Sequence, residues 1–294
     1  MAIKTVSVLI NGTTTTLTYN SGSGKYEGTI TAPAKSSHDE PNGSYPVSVT
    51  AEDTAGNKTT KSSADGDGVV PALYVRSTNK PVIEIVSPTA GAILSNNAPN
   101  IVFKVTGTDA GVNVEETVLK VDGQAVSGVT HTSDANVFTF TYTPSTALAD
   151  GGHTIEITAE DNDGNAAVTA SASFTVDTVP PTLNITQPTQ NLVTKNASLI
   201  VAGTTNDVTS SPVTVTVNGD SVTVNDDGSF STTITLTEGT NNITVIATDK
   251  AGKQSTVTRT VTLDSVAPNI TAVTIEPNPV DAGQTFVISV TVTD

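Results

Sequence analysis

One pattern of alternating apolar residues, written three times, constrains this chain more than any other feature. It reads Tyr45-Pro-Val47-Ser-Val49-Thr-Ala51-Glu-Asp53-Thr-Ala-Gly56-Asn57, then His153-Thr-Ile155-Glu-Ile157-Thr-Ala159-Glu-Asp161-Asn-Asp163-Gly164-Asn165, then Asn241-Asn-Ile243-Thr-Val245-Ile-Ala247-Thr-Asp249-Lys-Ala-Gly252-Lys253. Apolar side chains at every second position describe a strand with one face on a core and one in water. The Asp-x-x-Gly that follows predicts a hairpin turn, because Asp bonds the backbone two residues on and Gly takes the positive φ. Asp53, Asp161 and Asp249 stand 108 and 88 positions apart, the size of one two-sheet sandwich.

A second signature lies upstream of each copy: Val6-Ser-Val8-Leu-Ile10-Asn11-Gly12, Thr117-Val-Leu119-Lys-Val121-Asp122-Gly123 and Val213-Thr-Val215-Thr-Val217-Asn218-Gly219. Asn-Gly and Asp-Gly between alternating apolar runs are strong hairpin signals. The boundaries repeat as well. Strand ends run into Pro81, into Pro180-Pro181 and into Pro268, and each is followed by a short alternating strand ending at Pro88, Pro188 or Pro277. Linkers this short, with φ partly locked, predict a semi-rigid string of sandwiches, that is, a rod.

The 294 residues suit about three such units. Hydrophobic residues are 36% and aromatics only 4%, with no Trp, so the cores must be thin and built from Val, Ile, Leu and Ala. The absence of Cys excludes disulfides, thiolate metal sites and cysteine nucleophiles. A net charge of −16 repels nucleic-acid phosphate and anionic lipid, so no nucleic acid is expected as a partner, while divalent cations are attracted. No run of 18 apolar residues occurs, so no membrane insertion is expected. No secretory signal is visible at Met1-Ala-Ile-Lys4. The protein is expected to work where it is made, to leave the cell within an assembly, or to be a mature piece.

These segments resemble the bacterial immunoglobulin-like repeats of surface and phage proteins, whose marks are the Val-Thr-Ala-Thr-Asp-x-x-Gly-Asn hairpin and the Val-Asp-x-x-x-Pro junction. The opening residues 2–12 with Lys25-Tyr26-Glu-Gly-Thr-Ile-Thr-Ala-Pro33, the segment 207–219, and the closing residues 279–294 are similar to Ig-like proteins encoded in tail modules of phages and prophages of Gram-positive bacteria. The resemblance implies a virion or tail-associated structural or host-contact role and carries no catalytic residues. The fold class expected is all-β: tandem immunoglobulin-like β-sandwich domains in a rod, with incomplete sandwiches at both ends.

The expected boundaries are 1–78 for a domain lacking strands A and B, 79–177 and 178–265 for complete domains, and 266–294 for the A and B strands of a further one. The first repeat begins at strand C and reads C, E, F, G. Residues 272–276 and 286–292 form an A-like and a B-like strand, and so short a piece buries too little to fold alone. It completes the 1–78 piece of another molecule by strand addition and so builds a head-to-tail filament, or a partner protein completes either end. Otherwise it is disordered, or the chain continues beyond Asp294, or the first domain closes with its own residues 60–77.

The sequence offers no catalytic constellation. There is no Gly-x-Ser-x-Gly elbow. Ser77-Thr-Asn-Lys80 sits in a proline-bounded linker rather than a helix, and Gly22-Ser-Gly24-Lys25 lacks the phosphate-loop spacing. His38, His131 and His153 are not paired at helical spacing; His153 aligns with Tyr45 and Asn241 and reads as a structural corner, the other two as solvated. Tyr26 and Tyr142 fall in E-like strands and read as packing residues. Asp161, Asp163 and Asn165 place oxygens at alternate positions, as calcium loops do, though not at EF-hand spacing. Asp177 and Asp264, in the linkers, join such a site if loops converge there. The preferred reading is a turn for Asp161, Asp163 and Asn165 and solvated strand ends for Asp177 and Asp264.

The function expected is therefore non-enzymatic: a structural and interaction protein, assembled in the host cytoplasm onto a virion. Its partners are other proteins, itself, or a host cell-surface protein or polysaccharide, contacted through the polar loops 34–43 and 204–211. A bacterial cell-surface adhesin or stalk, or the accessory region of a secreted enzyme, are the alternatives.

Overall fold

The computed structural model describes residues 2–294. The chain divides into two compact units, one of residues 1–92, 98–148 and 152–174, the other of residues 93–97, 149–151 and 175–294.

The first unit opens with a single five-stranded sheet made of β1 (Ile3–Ile10), β2 (Thr13–Asn20), β3 (Lys25–Glu27), β4 (Val47–Asp53) and β5 (Lys58–Ser62), in the order β3-β2-β1-β4-β5. Asn11 and Gly12, at φ 45° and 74°, make the two-residue turn between β1 and β2, the turn whose twist matches paired strands. The alternating run at 47–51 lies on β1, with Val49 opposite Val8. The expected E strand is not there. Residues 25–27 return through a tight turn onto β2, Tyr26 opposite Tyr19, so Tyr26 belongs to the same sheet as the rest. A four-residue connection reaches the adjacent strand and no further. Residues 70–77 pair with the segment before β4: Tyr45 and Leu73 exchange both backbone hydrogen bonds, at 2.9 and 3.1 Å, and Val75 accepts from the Ser37 amide. Tyr45 and Val70 are buried there.

Next come β6 (Val82–Ser87), β7 (Ala92–Leu94), β8 (Ile101–Thr106), β9 (Asn113–Val121), β10 (Gln124–Ala125), β11 (Thr130–Asp134), β12 (Val137–Tyr142), β13 (Gly151–Glu160) and β14 (Ala170–Val176). They form two sheets, β10-β9-β13-β14-β7 and β11-β12-β8-β6. The central strands send alternate residues inward: Ile101, Phe103 and Val105 from β8, Ile155, Ile157 and Ala159 from β13. Phe103 and Phe140 stack at 4.9 Å. Fully burying one such side chain contributes about 1.5–3 kcal/mol.

The second unit repeats the plan. Its strands are β15 (Thr182–Gln187), β16 (Leu192–Thr194), β17 (Ser198–Asn206), β18 (Thr214–Val217), β19 (Asp220–Val222), β20 (Ser229–Thr235), β21 (Gly239–Thr248) and β22 (Gln254–Leu263). The sheets β15-β17-β20 and β16-β22-β21-β18-β19 close over Val201, Val215, Val217, Phe230, Ile243, Val245 and Val261. A last hairpin, β23 (Asn269–Glu276) and β24 (Val287–Thr293), pairs only with itself. All of its strand residues are exposed. The chain is thus all-β and built of tandem immunoglobulin-like sandwiches, with a lone sheet before them and a lone hairpin after.

Candidate metal centre

Three carboxylates that the chain scatters over 72 positions meet in the second unit. Asp177 stands just past β14, Asp207 just past β17, and Asp249 just past β21. Each closes a strand and turns the chain. The Thr209 and Ser210 amides both donate to Asp207 Oδ1 at 2.8 Å, and the Lys253 amide donates to Asp249 Oδ1 at 2.8 Å. The Val179 amide donates to Asp177 Oδ1 at 3.2 Å, and the Ser210 hydroxyl donates to Asp177 Oδ2. Asp177 is wholly buried, Asp249 is 6% exposed and Asp207 7%.

One oxygen from each carboxylate falls within 4.8 Å of the other two. Among the described residues, no Lys, Arg or His makes an ion pair with any of them. Asp249 Oδ2 is buried and has no hydrogen-bond partner. Repulsion at this separation is on the order of 3 kcal/mol per pair at an effective dielectric of about 20, and an unpaired buried carboxylate oxygen adds a desolvation cost. A set of hard oxygens with no nitrogen or sulfur donor suits calcium or magnesium rather than zinc. Loop-borne carboxylates suit calcium, which tolerates flexible geometry and bidentate ligands. Asp207 also lines a cleft of about 460 Å³ with Thr182, Asn206 and Asp227.

The linker of the first unit meets its neighbouring carboxylates with hydrogen-bond donors. Ser77 stands four residues before Pro81, as Asp177 stands four before Pro181. The Ser77 hydroxyl donates to Asp109 Oδ1 at 2.7 Å, the Asn79 amide group to the same oxygen at 3.2 Å, and the Ser36 amide to Oδ2 at 3.0 Å. The Ser77 donor leads these bonds in holding the Asp109 carboxyl at about 2, against an ordinary 3.8, and together they outweigh its burial.

The five oxygen ligands read from the sequence therefore separate. Asp161 accepts the Asp163 and Asn165 amides at 2.9 and 2.8 Å and the Asn165 side chain at 2.8 Å. Asp163 accepts the Ser77 amide at 2.6 Å, and the Asn165 side chain donates to the Ser77 carbonyl at 2.9 Å. Asp163 and Asn165 hold the linker by hydrogen bonds, and Asp161 holds those two residues in place. Asp264 is exposed, its amide donating to the Thr194 carbonyl at 2.9 Å as that of Asp177 does to Leu94 at 2.8 Å. Asp177 alone enters a carboxylate cluster, and its partners Asp207 and Asp249 were not among the sequence candidates. Asp249 was legible as the repeat anchor. Asp207 lies in the loop 204–211, expected to be an exposed contact loop; the structure instead buries Thr205, Asp207 and Ser210, because Asp207 turns the chain inward by capping its own backbone. His153 is buried, and its Nδ1 lies 2.7 Å from Asp122 Oδ2, a structural corner. His38 is exposed, and His131 lies beside Phe140 at 5.5 Å.

Residues 87–178 match a family profile described as a bacterial Ig-like domain, and residues 181–265 one described as glucodextranase, domain B. The fibronectin(III)-like modules of Clostridium thermocellum CbhA are similar at 20% identity, over 62% of this chain and 94% of theirs, with a TM-score of 0.40. The titin I-band fragment I67–I69 is similar at 14% identity, over 89% of this chain and 88% of its own, with a TM-score of 0.41. A tetra-tandem repeat from the extending region of a large adhesion protein is similar at 21% identity, over 98% of this chain and 79% of its own, with a TM-score of 0.33. No curated protein sequence matches the chain.

Proposed function

We propose that this chain is a non-enzymatic structural and adhesion-type protein. In this reading its Ig-like sandwiches present binding surfaces, and a calcium ion held by Asp177, Asp207 and Asp249 fastens the linker 177–181 to the loops of the sandwich β15–β22. The observation that carries the reading is the buried, unpartnered Oδ2 of Asp249 among two further buried carboxylates. Calcium would supply the positive charge that this all-oxygen set lacks, and the chain's part is to pre-position the carboxylates by backbone amides. Titration calorimetry of the full chain tests it. One calcium per chain, with weaker or no heat from magnesium, is the expected result; no calcium heat at all removes the proposal.

We further propose that the chain is carried on a phage particle, on the likeness of residues 2–12, 25–33, 207–219 and 279–294 to phage-tail Ig-like proteins. Mass spectrometry of purified virions from a host carrying the gene checks this. Peptides of the chain only in cell-wall fractions would favour a bacterial surface adhesin.

A further inference from the structure

In each copy of the repeat, the residue four positions after the anchoring Asp donates its backbone amide to that Asp. Asn57 bonds Asp53 Oδ1 at 2.9 Å, Asn165 bonds Asp161 Oδ1 at 2.8 Å, and Lys253 bonds Asp249 Oδ1 at 2.8 Å. The side chains at these positions then part company. Asn57 Nδ2 donates to Asp53 Oδ2 at 2.9 Å, and Asn165 Nδ2 to Asp161 Oδ2 at 2.8 Å, so both oxygens of those two carboxylates are engaged. Lys253 has no amide close to its backbone. Its nitrogen rides on a long flexible stem, and among the described residues it makes no ion pair. Asp249 Oδ2 is the oxygen left over, buried and without a partner.

The two linkers differ at matching places. Ser77 and Asp177 each stand four residues before a proline. Val82 pairs with Thr106 and Thr182 with Asn206, so Gly107 occupies the place of Asp207. Asn162 donates to the Ala110 carbonyl at 3.3 Å as Lys250 does to the Ser210 carbonyl at 3.1 Å. Where one linker meets Asp207 and Asp249, the other meets Gly107 and Asp161. Gly107 leaves no room for a side chain, because a Cβ there would stand 2.7 Å from the Gly111 carbonyl carbon. Asn165 closes that place from within, its Nδ2 reaching both Asp161 Oδ2 and the Ser77 carbonyl.

We infer that residue 253 is the specificity-determining position of the cation site: Asn at this place in the repeat ties the Asp to the linker by hydrogen bonds, whereas Lys253 leaves the second oxygen to a divalent cation. Of the linkers 77–81 and 177–181, only the second therefore responds to calcium. The inference rests on the reading of Asp177, Asp207 and Asp249 as a calcium site and adds what opens that site. An amide seated on Asp249 Oδ2 must be displaced before the ion enters. A hydrogen bond to a charged oxygen is worth about a tenfold to hundredfold loss of affinity.

The test compares the full-length parent with Lys253→Asn and Lys253→Ala by calcium titration calorimetry, melting in chelator, and hydrogen exchange read by mass spectrometry. Asn already fills this turn at 57 and 165, so Lys253→Asn should fold. It should melt no lower than the parent in chelator and bind calcium about ten to a hundred times more weakly. Lys253→Ala brings no amide and removes a positive charge, so it should bind calcium at least as tightly as the parent. In the parent, calcium should slow exchange in peptides spanning 175–182 and leave those spanning 75–82 as they were. A parent that takes up no calcium removes the calcium reading, and this inference with it. A parent that binds calcium overturns the inference alone if Lys253→Asn binds as tightly or melts lower in chelator, if Lys253→Ala loses binding as Asn does, or if calcium also slows exchange at 75–82.

Discussion

Replacing Asp249 by Asn should reverse the order of stability between two buffers. Asn keeps an Oδ1 for the Lys253 amide and puts an N–H donor where Oδ2 had no partner. It also removes the charge common to two of the three carboxylate pairs. Each pair is on the order of 3 kcal/mol at the observed separation, and solvent relaxation reduces the net relief to about 1–3 kcal/mol. With a chelator present, Asp249→Asn should therefore be the more stable protein. With calcium at about a hundred times its dissociation constant, the unmodified chain gains about 2.7 kcal/mol, which for a sandwich of this size is roughly 10–20 °C in Tm, and the variant gains little. Calorimetric melting of both proteins in chelator and in calcium reads all four values. If the variant melts lower than the parent in chelator, or if both respond equally to calcium, the carboxylates are not a cation site and the electrostatic argument fails.

Other outcomes follow from the same geometry. The Asp109 carboxyl is depressed in the fold to about 2 from 3.8, so its contribution is present above about pH 4 and is lost as pH falls through 2; melts between pH 5 and 2 should fall more steeply for the parent than for Asp109→Asn. Ile157→Ala, at a position with 0% exposure, should cost about 2–5 kcal/mol by denaturant unfolding, whereas Val49→Ala at the aligned half-buried position should cost about 1 kcal/mol at low protein concentration. Gly203→Ala would set a Cβ 2.3 Å from the Asn184 carbonyl and 2.8 Å from the Phe230 ring; a loss above about 1 kcal/mol on thermal unfolding is expected.

The repeated alternation and the Asn-Gly, Asp-Gly and Asp-x-x-Gly turns were sufficient to read the strands β1, β4, β9, β13, β18 and β21 and the all-β class. These are local properties, since a period of two and a positive φ belong to a few consecutive residues. Only the folded chain decided that residues 25–27 return to their own sheet instead of crossing to a second one, since the length of a turn limits where a strand can go and composition does not. It also decided which acids meet. Asp161 and Asp249 hold the same place in the repeat, yet one has both oxygens engaged by Asp163 and Asn165 and the other faces Asp177 and Asp207 with an oxygen to spare. Convergence of groups 30 and 42 residues apart is a property of how loops stack at the end of a sandwich, and a strand pattern carries no record of it.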